Sequence, residues 1–355
     1  MQAFNIEIFD PDFTLVQHSN INDISYNVDY LSPVENSVTV PFNSAITSRD
    51  YVHIYNNDHD YFGIIVGTDT SQCPEGWVQL RYKPFTSLFD APIMFDTDYQ
   101  GSATSLEDCL AGIITSYWIS NSDTAQNITG LSVSTISTTS NWGFNLKSDV
   151  ENMHKCIINF RNVLISRALS KYRVGVYVTP DFENQTISIE VGVKSNDTYY
   201  IEATLPNVII DNVVMQEGSY SVNKLVVYSE ADMTSTITYY LHPDGTFNTT
   251  NNNRVTPVIF DTVSVSVDNT TFAEAALEAA QEAFVLEGYK NLIELTVLNN
   301  DSLVRPDSLD LGQLVSIISN GVSYPSILTG YEIGNTTKLI FGSIRVDLTK
   351  ILKGA

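Results

Sequence analysis

A chain of 355 residues, 43% of them apolar and only 17% charged, is long enough for roughly two to four compact units and too hydrophobic to be disordered. With 41 acidic against 18 basic residues its net charge is −23, which argues against a protein that grips nucleic-acid phosphates through Lys and Arg. Such acidity serves solubility, or else makes a surface that DNA slides past without sticking.

Abundant Asn, Ser and Thr between short runs of Val, Ile, Tyr and Phe favour many strands joined by polar turns. Residues 1–90 carry six or seven such runs: FNIEIF, FTLVQHS, ISYNVDYL, SVTVPF, YVHIY, YFGIIVG and WVQLRY. Turn signals at Asp10-Pro11-Asp12, Ser19-Asn20 and Asn56-Asn57-Asp58 separate them, and the spacing predicts a small barrel or sandwich. The start, MQAFNIEIFD, alternates like a strand and lacks the profile of a signal peptide.

After Asp90 the pattern changes. Thr104-Ser105-Leu106-Glu107 has the form of a capping box with Thr104 as the cap, followed by Leu106, Leu110, Ile113 and Ile114 at helical spacing. Ser148-Asp149-Val150-Glu151 is a second box, opening a helix with Met153, Ile157, Phe160, Leu164 and Ala168 on one stripe. A hairpin follows, RVGVYVTP and TISIEVGV around Asp181-Phe182-Glu183-Asn184, so 91–205 is expected to be an α+β domain. Between the two helices the Ser- and Thr-rich stretch 131–145 reads equally as loop or edge strand.

From 206 the β pattern resumes in NVII, NKLVVYSE and STITYYLHPDG. A third capping box, Thr271-Phe272-Ala273-Glu274, opens the helix AEAALEAAQEAFVLE, which ends at Gly288. The helical insertion is placed at 256–291. NLIELTVL then feeds a closing meander: LVSII, VSYPSILTGYEI, KLIFGSIRV and DLTKIL.

This meander has an earlier echo. Shifted by 263 positions, Tyr51 to Phe89 falls on Leu314 to Leu352 without a gap: Val52 on Val315, Ile54 on Ile317, Asn57 on Asn320, Tyr61 on Tyr324, Gly67 on Gly330 and Thr86 on Thr349. The trio Phe85, Leu88, Phe89 meets Leu348, Ile351, Leu352. The expected fold is therefore mainly β with α+β parts. It comprises a β-barrel module at 1–90, the α+β domain, and a second related module at 206–255 and 292–355 that the helical insertion interrupts.

No catalytic constellation stands out. G-x-S-x-G, H-E-x-x-H, the phosphate loop and paired cysteines do not occur, and His18, His53, His59, His154 and His242 fall on different elements, so no enzyme is expected. Asp58-His59-Asp60 sits where a turn favours Asp and Asn anyway. Cys73, Cys109 and Cys156 have no metal-type spacing and read as free thiols of a chain made in a reducing cytoplasm. No run approaches the ~18 apolar residues of a membrane span.

The candidate metal site is a calcium loop, with Asp96, Asp98, Gln100 and Glu107 at positions one, three, five and twelve and Gly101 at six. Against it stand the glutamine at five, Pro92 in the entering segment, and the capping role of Glu107. His154, Lys155, Arg161, Arg167, Lys171 and Arg173 gather in one short stretch, either as the solvated face of a helix or as a docking surface for an acidic partner or a neighbouring subunit.

VNKLVVYSE, TITYYLHPDGTF, NNNRVTPVIFDTV, the Ala/Glu-rich helix and the ending ILTGYEI…TKLIFGSIRVDLTKIL together resemble the baseplate hub proteins of tailed bacteriophages. The likeness is strongest to the hub (tail-associated) proteins of lactococcal and streptococcal siphophages. It extends over most of 220–352 and more weakly over 1–90. The resemblance implies a homotrimer in the virion tail whose six related modules form a pseudo-sixfold ring or dome. Such a ring docks to the distal tail protein and closes or lines the channel through which DNA passes without specific binding. It also implies the tape measure protein and receptor-binding proteins as partners, and no cofactor. Many relatives continue into a peptidase or receptor-binding extension; this chain stops at Ala355, so no hydrolase is expected to follow.

Two other readings stay open. Trp77, Trp118 and Trp142 with the many tyrosines suit a carbohydrate-binding host-attachment protein. A wall-degrading tail hydrolase has no residues to point to.

Overall fold

Alternation governs the first ninety residues. Phe4, Ile6 and Ile8 are buried while Asn5 and Glu7 between them are half-exposed, because a strand sends successive side chains to opposite faces. The seven strands are β1 (Ala3–Phe9), β2 (Leu15–Asn22), β3 (Tyr26–Asp29), β4 (Asn36–Pro41), β5 (Tyr51–Tyr55), β6 (Asp60–Asp69) and β7 (Trp77–Pro84). All but β3 form one antiparallel sheet in the order β2-β1-β5-β6-β7-β4. The computed structural model describes residues 3–22, 24–31, 34–96, 103–140, 142, 155–215, 222–230, 232–242, 246–254, 256–265, 272–284, 289, 291–299, 301, 303–319 and 321–342.

The sheet curls until its edges meet through side chains. Gln17 Nε2 donates to the Pro41 carbonyl at 3.1 Å and Asn43 Nδ2 to that of Val16 at 3.2 Å. The expected turn at Ser19-Asn20 is absent: β2 runs through it, with Asn20 Nδ2 donating across the ladder to Asn5 Oδ1 at 3.2 Å. Asn56 does make a turn, its Oδ1 accepting the N–H groups of Asp58 and His59 at 2.9 and 2.8 Å. Tyr61 and Ile65 of β6 join Ile6, Val52 and Ile54 inside the curl, while Phe62 and Ile64 face outward into the next unit. A strand buried on both faces reads as an unbroken apolar run, which is why YFGIIVG does not alternate.

The next unit holds β8 (Pro92–Asp96), α1 (Leu106–Ile114), β9 (Leu131–Thr135), β10 (Lys155–Asn159), α2 (Ser166–Tyr172), β11 (Gly175–Asp181) and β12 (Thr186–Gly192). The β11–β12 hairpin is widened by β9, parallel to β12, so part of the Ser/Thr-rich stretch is an edge strand.

Two helix starts differ from expectation. The cap of α1 is Ser105, one residue later than expected; its Oγ accepts the Asp108 N–H at 3.0 Å. Thr104 Oγ1 donates to the Asp108 carboxylate at 2.5 Å, and the bonds from Thr104 and Ser105 hold that carboxyl below its usual range. The helix expected from Ser148 begins later. Residues 155–159 are strand β10, whose Ile157 and Ile158 pair with Met94 and Ile93, as β-branched residues favour. Asn159 then caps a widened turn, Phe160–Ile165, that runs into α2. The expected stripe holds from there: Phe160, Leu164 and Ala168 are fully buried, but Ile157 is 73% exposed. The box at Ser148 lies outside the described residues.

The remainder contains β13 (Thr198–Glu202), β14 (Ile209–Met215), β15 (Lys224–Ser229), β16 (Thr236–Leu241), β17 (Phe247–Asn248), β18 (Phe260–Val265), α3 (Phe272–Phe284), β19 (Asn291–Leu298), β20 (Leu314–Ser319), β21 (Val322–Ile333) and β22 (Thr336–Phe341). A curled sheet runs β13-β20-β21-β22-β19-β14, and β3 from the first module adds to β21. A separate sheet, β17-β16-β15-β18, is covered by α3; Phe272, Ala276, Ala279 and Ala280 pack on Leu225, Val227 and Tyr239. The small alanines let helix and sheet approach closely.

The two curled sheets repeat one meander, register included. Tyr51 pairs with Ile64 in the first, and Leu314 with Ile327 in the second, both shifted by 263. A bulge interrupts β6–β7 between Ile65 and Gly67 and β21–β22 between Leu328 and Gly330, again 263 on. The third strand departs from the gapless match. Tyr82 corresponds to Phe341, a shift of 259, so the connecting turn is four residues shorter in the second copy. The match of the closing trio to Leu348, Ile351 and Leu352 lies outside the described residues. A fourth strand also corresponds: Val38 and Val40 of β4 are buried as Leu295 and Val297 of β19 are, each in antiparallel pairing with the third strand.

Candidate assembly surface

The sequence ISYNVDYL does something its periodicity does not announce. It leaves the first sheet and donates β3 to the second, pairing Asp29 with Gly330, Val28 with Tyr331, Asn27 with Glu332 and Tyr26 with Ile333. The Tyr30 N–H extends the ladder to the Thr329 carbonyl at 3.0 Å. At Gly330 a Cβ would sit 2.8 Å from the Val28 carbonyl oxygen, so a glycine is what allows β3 to close in.

The α+β unit braces this joint with polar groups. Arg161, only 2% exposed, donates from Nη2 to the Asp29 carbonyl at 3.1 Å. Burial pulls its guanidinium below the usual value, against Tyr30, Asp29 and Asp90, which favour the cation. The Tyr30 hydroxyl accepts the Val176 N–H, and burial drives its ionisation far up. Tyr177 donates to the Leu311 carbonyl at 2.9 Å. Arg173, a left-handed residue at the end of α2 (φ 61), reaches the carbonyls of Ser195 and Gly312. Around these groups lies a cleft of about 270 Å³ lined by all three units.

An aromatic plug completes the brace. Phe182, at the tip of the β11–β12 hairpin, stacks on Phe9 at 4.1 Å and contacts Phe13, Phe62 and His53. A phenylalanine flanked by Asp181, Glu183 and Asn184 in a turn was a legible oddity, since turns favour polar residues. The sequence marked Arg161 only as one charge of a basic stretch, and nothing in it marked Tyr30.

The expected calcium ligands are not gathered by anything described. Asp96 ends β8 opposite Lys155, and Asp98 and Gln100 lie outside the described residues. Glu107 is fully buried, and its carboxylate accepts from Ser137 Oγ (2.6 Å), Thr139 N (2.8 Å) and Thr139 Oγ1 (3.0 Å). It fastens the segment after β9 to α1. Glu107→Ala is expected to lower stability by about 2 kcal/mol by orphaning these donors, read as a lower urea midpoint at unchanged m. Among the described residues no three His, Cys, Asp or Glu groups are placed to hold a metal.

The basic stretch 154–173 divides. Buried Arg161 and half-buried Arg173 are fasteners rather than a solvated face, because each reaches a backbone carbonyl of another unit. His53 Nε2 meets Asp60 Oδ1 at 3.1 Å on the barrel surface. Trp118 lies in the core against Phe89 and Phe160 and is no platform for a sugar; Trp77 is 41% exposed. Cys73 and Cys109 are free thiols, and burial pushes Cys109 up to about 12, so it stays protonated at neutral pH. Among the described residues no helix is long and apolar enough to cross a membrane.

Neither a family model nor a curated protein matches the sequence. Solved structures do match the fold. The 43 kDa tail protein of prophage MuSo2 from Shewanella oneidensis superposes with a TM-score of 0.53 at 13% identity, covering 97% of this chain and 98% of that one. The tail protein from Neisseria meningitidis MC58 gives 0.54 at 10% identity, covering 97% of each. Over nearly its whole length, the chain shares the fold of these two tail proteins.

Proposed function

We propose that this protein is a structural component of a phage tail, the hub of its baseplate. In this reading it assembles as a homotrimer with six related modules in a pseudo-sixfold ring or dome. The ring docks to the distal tail protein, contacts the tape measure and receptor-binding proteins, and closes or lines the DNA channel. The protein works by assembly and not by catalysis.

The observation that carries this is the repeated meander, with one register in both copies and a strand of the first added to the sheet of the second. A chain that presents the same surface twice lets a trimer match a six-fold partner. The full-length fold shared with tail proteins points to the same setting. The net charge of −23 suits a lumen that repels phosphates.

The test is the mass and shape of the purified protein. Light scattering should give three times the 39.4 kDa chain mass, and negative-stain images a ring or dome with threefold symmetry. A monomer at all concentrations, with no ring in the images, would overturn the reading.

A further inference from the structure

The two copies of the meander differ at one strand edge. In the second copy the far half of β21 has partners on both sides: Gly330 to Ile333 pair with β22 on one side and β3 on the other. Thr329 and Ile333 are accordingly 0% and 3% exposed. In the first copy the same half of β6 pairs with β7 through Gly67, Thr68 and Asp69. On its other side β5 covers β6 only as far as Ile64, and Arg49 and Asp50 close onto Ile65. Beyond that point no described strand meets β6. Val66 and Thr68 are exposed there.

The register identifies the idle groups. The Tyr30 N–H bonds to the Thr329 carbonyl, so that carbonyl and, two and four residues on, the backbone groups of Tyr331 and Ile333 turn toward β3. Val66 and Thr68 hold the places of Thr329 and Tyr331, so by the same register the Val66 carbonyl and both backbone groups of Thr68 point away from β7. Gly67 holds the place of Gly330, where glycine admits the incoming strand. At Gly67 the three atoms nearest an added Cβ all belong to the Arg81 guanidinium, the end of a flexible side chain. Proteins blunt bare edges with proline, lysine, inward charge or a bulge; Val66-Gly67-Thr68 has none of the first three, and the bulge it shares with β21 does not stop β3 from pairing there.

We infer that this edge of β6 is completed by a strand from a second copy of the chain, as β21 is completed from within it. The chain already contains one such joint, between a strand of one module and the edge of the other. That joint links unlike surfaces, so its repetition between molecules propagates head to tail and closes into a ring. The inference rests on the oligomer of the proposed function and names the surface that makes it.

Thr68→Pro deletes one idle N–H and sets a ring in the path of an incoming strand, while breaking no bond to β7. It should weaken assembly about a hundredfold, with the far-UV spectrum and Tm of the dissociated chain unchanged. Independently, hydrogen exchange at the Thr68 amide of the unmodified protein should slow on assembly. A trimer in which this amide exchanges as fast as in the diluted chain, or one that Thr68→Pro leaves intact, overturns the inference and leaves the hub reading standing. An unmodified protein that never assembles overturns both.

Discussion

Val28→Pro is expected to cost about 3 kcal/mol or more and to detach β3 from the second sheet. Val28 pairs with Tyr331, two residues from the bond between Tyr30 N–H and the Thr329 carbonyl, so its own N–H points at β21. Proline removes that donor and puts its ring where the neighbouring strand lies. Val28 also packs against the first-module core, into which Tyr331 and Ile333 of β21 reach. Val28→Thr keeps the N–H and should lose only the smaller, side-chain part. Urea midpoints would rank the two variants, and hydrogen exchange at Gly330–Ile333 would show whether the ladder has opened. Equal midpoints for both variants would mean that β3 does not hold the modules together.

Phe89→Ala should cost about 4 kcal/mol, the usual range for a buried phenylalanine. Phe89 is fully buried at the end of the short turn Phe85–Phe89, which leads from the first module into the α+β unit. Its ring lies 4.9 Å from that of Trp118 and 6.1 Å from that of Phe160, edge to face in both cases. One hydrophobic cluster spans the interface, from Phe9, Phe62 and Phe85 to Leu110, Leu164 and Ile189. The two units should therefore unfold in a single transition that moves as a whole in the variant. Two separate transitions, only one of them shifted, would contradict the shared core.

The strands were largely legible because most bury one face and alternate, and β6, buried on both, reads as an apolar run. FNIEIF, YVHIY, TISIEVGV and NLIELTVL all appear as β strands. Misreadings fell where local chemistry had two outlets. Ser19-Asn20 reads as a turn, yet those side chains bond equally well across a ladder, as Asn20 does to Asn5. Thr104 and Ser105 can both cap, and burial of Glu107 against Ser137 and Thr139 leaves that role to Ser105. Lys155–Asn159 has helical spacing, but Ile157 and Ile158 found a partner strand in β8. Of the candidate calcium ligands, Glu107 lay at a place the sequence marked, for the different task of fastening a loop.

By itself the sequence determined the β character, the duplication, and the acidity that any partner must accept. These depend on periodicity, on an internal match and on composition, all of which are local or additive along the chain. Only the tertiary structure decided what joins the modules: β3 crossing to β21, Arg161 on the Asp29 carbonyl, and Phe182 seated among four aromatic rings. Those contacts link residues more than a hundred positions apart, where neither spacing nor residue type records who the partner will be. The same limit hid the bare edge at Val66 and Thr68. A strand reads alike whether its outer hydrogen bonds are filled from its own chain or from another.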